Sequence, residues 1–423
     1  MKKITLSAVA VLSLVSGFSN TLSADEFTLF SDAKFNGEVR ARYENVDVED
    51  SGKMEANAYT VRATLGLDAK LFNVEGLSMK VDGTTVQTIG GTRYDNNPSA
   101  IFGDNRYEVV ADPEQTRFTQ AYLQYKYGAT TAKVGRQIVN LDNQRFIGSV
   151  DWRQMMQSLD ALTVTNTSVA GLTLTGAYVY GYATVFDEPT WDSKSVILNG
   201  SYKVNDMVKV TAYDYMISSE KASYGSDTIG LALTGDVAAA GAKINYRAEY
   251  AKQGDASFKT VGTTKAQNDA YYYNLEALAN ISGVLAGVGY EMLSGATTNA
   301  AGTTIIDGKT AFSTPLATLH KFNGWADKFL TTPTGGLCDA SATLGYTAAG
   351  LGKAMIVYHD FETDKAMAGK SDLGTEWDML YTNAIPGVKG LNGLIKAAFY
   401  DGGDVAGNTK DVSKIWVEAT YKF

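Results

Sequence analysis

Residues 59–71 have the sequence YTVRATLGLDAKL, and this stretch decides the fold. Seven apolar side chains occupy every second position of it, whereas Arg62, Asp68 and Lys70 occupy the other parity. Successive side chains point to opposite faces in a β-strand but not in a helix. The stretch therefore predicts a strand with one apolar face and one polar face.

The same alternation recurs along the chain. Two clear repeats are residues 35–44 and 242–250, where apolar or tyrosine side chains again alternate with charged residues and asparagines. We count 18 candidate strands, at residues 35–44, 59–71, 77–87, 116–127, 130–138, 158–167, 172–182, 194–204, 208–217, 227–235, 242–250, 271–280, 284–293, 337–347, 353–361, 372–382, 392–400 and 411–423. Such a series predicts one large sheet rather than several small domains.

The connections between these strands alternate in length. Short ones such as 72–76 and 127–129 are interleaved with long ones such as 139–157, 294–336 and 362–371. Short turns at one rim and long loops at the other are typical of bacterial outer-membrane barrels, which must close because an open edge would leave backbone groups unpaired in lipid. We therefore expect residues 25–423 to form one all-β domain, a transmembrane antiparallel up-and-down barrel of about 18 strands with long extracellular loops and short periplasmic turns.

Both ends of the chain agree with this location. Residues 1–24 have the features of a secretory signal, with Lys2 and Lys3 before an apolar segment and Ala24 at the predicted cleavage site. The last strand alternates up to Phe423, as in the terminal signal that outer-membrane assembly machinery recognises. Tyrosines near strand ends predict an interfacial girdle. They are Tyr43, Tyr125, Tyr127, Tyr182, Tyr202, Tyr290 and Tyr381.

Composition restricts the partners. One cysteine and two histidines argue against a disulfide framework or a metal site, and we expect no cofactor. Without Lys2 and Lys3 the chain has 35 basic and 46 acidic residues, a net charge of −11 that argues against nucleic acid. We expect the outer-membrane bilayer with its lipopolysaccharide, the barrel-assembly machinery and small hydrophilic or anionic polysaccharide solutes as partners. A monomer and a trimer both remain open.

The inside of so wide a barrel should be a water channel lined by the polar parity of the strands. Charges on that parity are mixed in sign. The candidate pore-lining residues on strands are Arg40, Arg42, Arg62, Glu376 and Asp378. Charged rings at a narrow point would set the ion preference of such a channel.

One segment that departs from the alternation contains GRQ at 135–137, LDNQRFIG at 141–148 and WRQ at 152–154. It carries three arginines, Arg136, Arg145 and Arg153, among amides and aromatic rings. Folded inward, guanidinium groups would bind carboxylates beside rings that stack on sugars. Alternatively, the arginines pair with nearby aspartates and brace the loop.

The second segment is TPLATLHKFNGWADKFL at 314–330, inside the longest connection. Its apolar residues recur at spacings of three and four, which predicts a short amphipathic helix. A loop this long in a compact fold is usually functional. We expect it to be a plug or lid that presents His320, Lys321, Trp325 and Asp327 inside the barrel.

These two segments, with QSLDA at 157–161 and GTEWD at 374–378, resemble the alginate-export family of bacterial outer-membrane barrels. The resemblance implies an 18-stranded barrel in the outer membrane, passive diffusion, and an arginine-rich lumen selective for anionic polysaccharide or small anionic solutes. It also implies that Arg136, Arg145 and Arg153 belong to an electropositive lumen and that residues 320–327 belong to an inserted loop.

Three alternatives remain at this stage. They are a general nutrient porin without specificity, an adhesin whose loops bind while nothing passes, and an outer-membrane hydrolase. The hydrolase is disfavoured because His320 and His359 are the only histidines and no G-x-S-x-G motif accompanies them. We therefore expect a channel and not an enzyme.

Overall fold

The computed structural model describes residues 29–96, 105–186, 189–219, 224–255, 269–297 and 310–423. These residues form 18 antiparallel strands, each paired with the next in sequence, and β1 also pairs with β18 so that the sheet closes into a barrel. The strands are β1 Phe30–Val48, β2 Ala56–Leu71, β3 Leu77–Thr88, β4 Gln115–Tyr127, β5 Thr130–Gln137, β6 Ser158–Asn166, β7 Leu172–Ala183, β8 Trp191–Lys203, β9 Lys209–Ser219, β10 Tyr224–Ala239, β11 Ala242–Asp255, β12 Ala270–Ile281, β13 Val284–Ser294, β14 Gly336–Ala348, β15 Gly352–Met367, β16 Lys370–Ala384, β17 Leu391–Gly402 and β18 Val412–Lys422. The predicted fold class is confirmed, whereas the predicted signal segment, 1–24, lies outside the described residues.

The two faces of β2 show why alternation produces a barrel. Tyr59 and Leu65 on the outer parity are half-exposed, whereas Thr60 and Arg62 on the inner parity are buried. In the membrane the apolar outer face contacts lipid instead of water. The polar groups lie on the inner face, away from lipid. No helix in the described part of the chain is long and apolar enough to cross a membrane.

Tyrosines supply much of the outer face near the strand ends, as predicted for the girdle. Tyr125, Tyr127, Tyr202, Tyr290 and Tyr381 all have exposed rings, as the amphipathic girdle requires. Tyr182 differs, because it is buried inside the barrel. The strand bulges next to it, between Val179 and Gly181, and the bulge changes which face the following residues occupy.

One predicted long connection, 362–371, is a hairpin instead. Strands β15 and β16 extend past it and meet at a two-residue turn, Ala368 and Gly369, both with positive φ. The extension is mostly polar and lacks a regular apolar parity, with Met367 and Leu373 as its large apolar residues, because strand that projects beyond the bilayer needs no continuous apolar face. Alternation therefore could not reveal it.

The barrel closes at the C-terminal end of the chain. Gly37 in β1 and Phe423 exchange two backbone hydrogen bonds of 3.0 Å each. The Phe423 ring lies against the Cα of Gly37, so that a Cβ at this position would collide with the ring. Glycine at position 37 thus allows the terminal aromatic ring to lie flat against the neighbouring strand.

The amphipathic helix predicted within 314–330 is wrong, because the structure has only one 3₁₀ turn, Leu319–Lys321. Asn323, Gly324 and Asp327 adopt positive φ, which a right-handed helix excludes. The backbone N–H groups that follow donate to carboxylates of the barrel wall rather than to carbonyls one turn back. Side chains of the wall therefore override the local helical pattern.

Candidate functional site

Two long loops fold into the barrel and meet there. We name them the first inserted loop, residues 138–157, and the second inserted loop, residues 310–335. The backbone N–H of Gly148 donates to the carbonyl of Leu316 at 2.8 Å, and that of Thr318 donates to the carbonyl of Gln144 at 3.1 Å. The two loops are therefore joined to each other as well as to the wall.

Two arginines of the wall hold the backbone of the first inserted loop. Arg40 in β1 donates to the carbonyl of Asp151 at 2.8 Å, and Arg62 in β2 donates to the Asp151 carboxylate at 3.0 Å and to the carbonyl of Arg153 at 3.3 Å. Arg62 also pairs with Glu38. Both guanidinium groups are buried, and both are occupied by loop and wall.

Arg42 and Arg153 complete the same cluster. Arg42 donates twice to Glu418, at 3.1 and 2.7 Å, and its guanidinium lies 4.2 Å from the ring centre of Trp152. Arg153 bonds both oxygens of Glu44, at 3.0 and 3.1 Å, and reaches Asp327 at 3.0 Å. Burial opposes the charge of Arg153, but these carboxylates outweigh burial and raise the pKa of its guanidinium.

His320 joins the second inserted loop to the wall. Its Nδ1 lies 2.6 Å from Asp327, its Nε2 lies 2.7 Å from the Nζ of Lys396, and its ring stacks on Trp152 at 4.3 Å. Burial lowers the pKa of His320 well below its ordinary value, with Lys396 adding to the effect. A neutral ring that donates at Nδ1 and accepts from Lys396 at Nε2 satisfies both contacts.

Asp327 is the anionic centre of this cluster. It accepts hydrogen bonds from Arg153 at 3.0 Å and from Lys414 at 2.9 Å, besides the bond from His320. Burial would raise the pKa of its carboxyl, but its hydrogen-bonded and cationic neighbours outweigh burial and hold that pKa well below the usual range. Asp327 thus remains charged at neutral pH.

Glu376 and Asp378 hold the backbone of the second inserted loop. Both belong to β16 and are fully buried. Asp378 accepts the N–H of Trp325 at 3.1 Å, and Glu376 accepts the N–H of Ala326 at 2.7 Å. The indole of Trp325 lies 3.7 Å from the Nζ of Lys396. These acids shape the loop and are not exposed to passing solute.

Arg145 ties both loops to the opposite wall. It donates to Glu291 of β13 at 2.8 Å and to the side chain of Asn323 at 3.1 Å. Phe146 beside it packs among buried rings, including Tyr213 and Tyr272. That ring is part of the packing, so it offers no open surface for stacking on a sugar.

Arg136 lies elsewhere, in contrast to the expectation that it lines the lumen. It shares the outward parity of β5 with Val134, which is half-exposed. Its guanidinium makes two hydrogen bonds of 2.8 Å to Asp160, on the outward parity of β6, and one of 2.7 Å to Thr190. Arg136 therefore braces the outer wall near the rim with the long loops.

Two lysines face the lumen without a carboxylate partner among the described residues. Lys133 in β5 lies 4.9 Å from the ring centre of Tyr122. Lys321 is exposed, donates to the carbonyl of Asn143 at 2.9 Å and lies 5.8 Å from the ring centre of Phe322. Burial of the stem lowers the pKa of Lys321, although Glu276 opposes the effect. Each lysine thus combines a cation with an aromatic ring.

The expected pairing with a nearby aspartate is found for Arg136 and Asp160, but sequence patterns did not identify the acidic partners of the other arginines. For Glu44 and Glu418, the only sequence feature that points to this role is their position on the inward parity of their strands. Asp112 carried none, because it lies in the connection between β3 and β4, which also packs inward through Tyr94 and Val110. Asp112 accepts the N–H of Gln154 at 2.7 Å. Among the described residues, no group of three or more His, Cys, Asp or Glu could hold a metal ion.

Comparisons with known proteins agree with this geometry. The model of a family described as alginate export matches residues 31–294, well over half of the chain. No curated protein matches the sequence. The crystal structure of Pseudomonas aeruginosa OpdK with vanillate superimposes with a TM-score of 0.71 at 12% identity, covering 94% of this chain and 100% of that one. For OccK8 (OprE) of the same organism the TM-score is 0.68 at 16% identity, with 93% and 98% covered.

Proposed function

We propose that this chain, which belongs to the alginate export family and is an integral outer-membrane porin, passes small cyclic carboxylates by passive diffusion. The family and the fold are those of channels and not of enzymes, so the hydrolase alternative is dropped. The solute class follows from the side chains that face the lumen.

The observation that carries the proposal is that two ammonium groups lie beside aromatic rings and have no ion-pair partner among the described residues. Lys133 lies beside Tyr122, and Lys321 lies beside Phe322. A carboxylate is attracted by an ammonium group, and a flat or cyclic body gains contact with an aromatic face. The vanillate in the OpdK crystal structure belongs to the same chemical class. Uronic acids, which join a carboxylate to a sugar ring, fit the same description.

The arginines have a different role in this proposal. Arg40, Arg42, Arg62, Arg145 and Arg153 are all buried and occupied by carboxylates or carbonyls. A guanidinium whose charge is balanced by a fixed acid contributes little field to the pore. We infer that these arginines set the width of the channel by bracing the loops, while the lysines set its preference for anions.

An anionic polysaccharide is the second candidate solute, and the family match favours it. The two inserted loops argue for smaller solutes, because they are joined to each other and bonded to both sides of the lumen. A polymer would require these contacts to open. Small acids would pass beside them.

Reversal potentials test the role of the lysines. The purified chain in a planar bilayer, under a salt gradient, should favour anions, and the double variant Lys133→Gln with Lys321→Gln should lose most of that preference. Arg136→Gln is the control, because it removes one positive charge from the outer face and should leave the preference unchanged. An unaltered preference in the lysine variant would contradict the proposal.

Liposome swelling tests the solute class directly. Vesicles containing the protein should swell faster in benzoate or glucuronate than in a neutral sugar of similar size. The difference should shrink in the lysine variant, because the neutral sugar does not use the ammonium groups. Equal swelling rates for acids and neutral sugars would instead support a general nutrient porin.

A further inference from the structure

Four carboxylates of the barrel wall surround one turn of the second inserted loop, residues 323–326. We call them the carboxylate cradle, and they are Glu291 of β13, Asp339 of β14, and Glu376 and Asp378 of β16. The side-chain amide of Asn323 donates to Glu291 at 2.6 Å and to Asp339 at 3.1 Å. Asp378 and Glu376 accept the backbone N–H groups of Trp325 and Ala326. The position of the turn therefore depends on where these four acids lie.

His359 of β15 lies between two members of the cradle. Its Nδ1 is 2.8 Å from Asp339 and its Nε2 is 3.6 Å from Asp378. The side chain is 11% exposed, so little water screens these contacts. One imidazole thus lies next to two of the four carboxylates that hold the turn, Asp339 on β14 and Asp378 on β16.

The other charged groups around His359 already have partners. Arg145 of the first inserted loop is bonded to Glu291, and Lys396 of β17 donates to His320. Asp327, also in the second inserted loop, is held by Arg153 and Lys414. Glu376 lies beside Asp378 on the same face of β16. Between Asp339 and Asp378, the described residues therefore supply one bridging base, His359.

We infer that His359 is a positioning residue for the constriction, and that its protonated ring keeps Asp339 and Asp378 in the positions that grip residues 323–326. A charged imidazole donates from both nitrogens, whereas a neutral one donates from a single nitrogen. When the ring loses its proton, its ion pair with Asp378 is lost and no cation remains between Asp339 and Asp378. The turn then loosens and the second inserted loop moves away from the wall.

The sign of the pH dependence follows from this arrangement. The grip is complete at pH values where His359 is charged and weakens as the pH rises through its titration. His320, the other histidine, does not compete, because its pKa lies well below the ordinary value and its ring stays neutral in this range. The inference needs a conducting barrel but not the anion preference proposed above, so the two can fail separately.

Single-channel recording of the full chain tests the inference. Between about pH 5.5 and about pH 8.5, loop excursions, seen as brief conductance changes, should become roughly tenfold more frequent in the wild type. His359→Gln should show the high frequency at every pH, because it removes the charge. His359→Lys should show the low frequency at every pH, because it keeps a cation between the acids.

Met355→Gln is the matched control, since Met355 faces inward on the same strand and pairs with Gly345 and Leu380 rather than with cradle residues. It should keep the wild-type profile. Migration of unheated samples on gels establishes that each variant is a folded barrel. The inference is overturned if the wild type has no pH dependence in this range, if His359→Gln keeps the wild-type profile, or if His359→Lys behaves like His359→Gln.

Discussion

Arg145 illustrates how a charged residue inside this barrel acts through its partners. Its guanidinium is buried, and one oxygen of Glu291 accepts both from Arg145 and from Tyr272. Removing the arginine would leave Glu291 charged in a site with little water. Breaking a buried ion pair in this way usually costs about 3–5 kcal/mol.

We therefore expect Arg145→Met to weaken the attachment of the loops to the β13 wall. The folded barrel should unfold at a lower temperature, and its open-channel current should become noisier because the second inserted loop loses its bond to the first through Arg145 and Asn323. Arg136→Met is the comparison, since its ion pair lies on the outer face. Equal thermal stability and equal noise in the two variants would show that Arg145 does not brace the loops.

The sequence contained part of this information at the residue scale. The outward parity of Arg136 can be deduced from Val134, two positions earlier, which carries the apolar pattern of β5. The burial of Arg145 cannot be deduced in that way, because it depends on Glu291 and Asn323, which are 146 and 178 residues away in sequence. Spacing within a loop does not specify the wall that the loop will meet.

The strands are the elements that sequence reasoning identified best. Each has an independent pattern of period two, because lipid on one side and water or polar packing on the other act on every residue. The second inserted loop has no such constraint. Its spacing of three and four suits a helix, yet contacts of Trp325 and Ala326 with the wall decide its conformation.

Gly148 allows the two inserted loops to approach each other. A Cβ at this position would collide with the hydroxyl of Thr318, in the other loop. We expect Gly148→Val to separate the loops and to break the hydrogen bond from Gly148 to Leu316. Single-channel conductance should change while the barrel stays folded, because the strands are not involved. Gly254→Val, at a glycine with open space around it and no positive φ, is a control for a valine at a glycine site, and its open-channel conductance should equal that of the wild type. Identical conductance in both variants would argue against a joint structure of the loops.

At the scale of the whole molecule, closure depends on the pairing of the first and last strands. The ring of Phe423 lies on Gly37, and the backbones of the two residues are hydrogen-bonded there.

Phe423 is also predicted to be the signal that the assembly machinery recognises before the barrel has closed. We expect Phe423→Ala to lower the amount of folded barrel in the outer membrane several-fold, measured by heat-dependent gel migration of membrane fractions. Val417→Ala, an outward residue of the same strand, should have little effect; an equal loss in both variants would mean that the terminal ring has no special role.

We conclude that the chain is an outer-membrane channel narrowed by two inserted loops that are bonded to each other and to the wall. The most direct measurement compares the single-channel conductance of the purified wild type with that of a variant in which residues 312–330 are replaced by a short Gly-Ser linker. The wild type should conduct in small uniform steps, and the variant in steps several-fold larger with weaker anion preference, because the wide barrel would then be open. A wild type without conductance, or two proteins with the same conductance, would contradict the account.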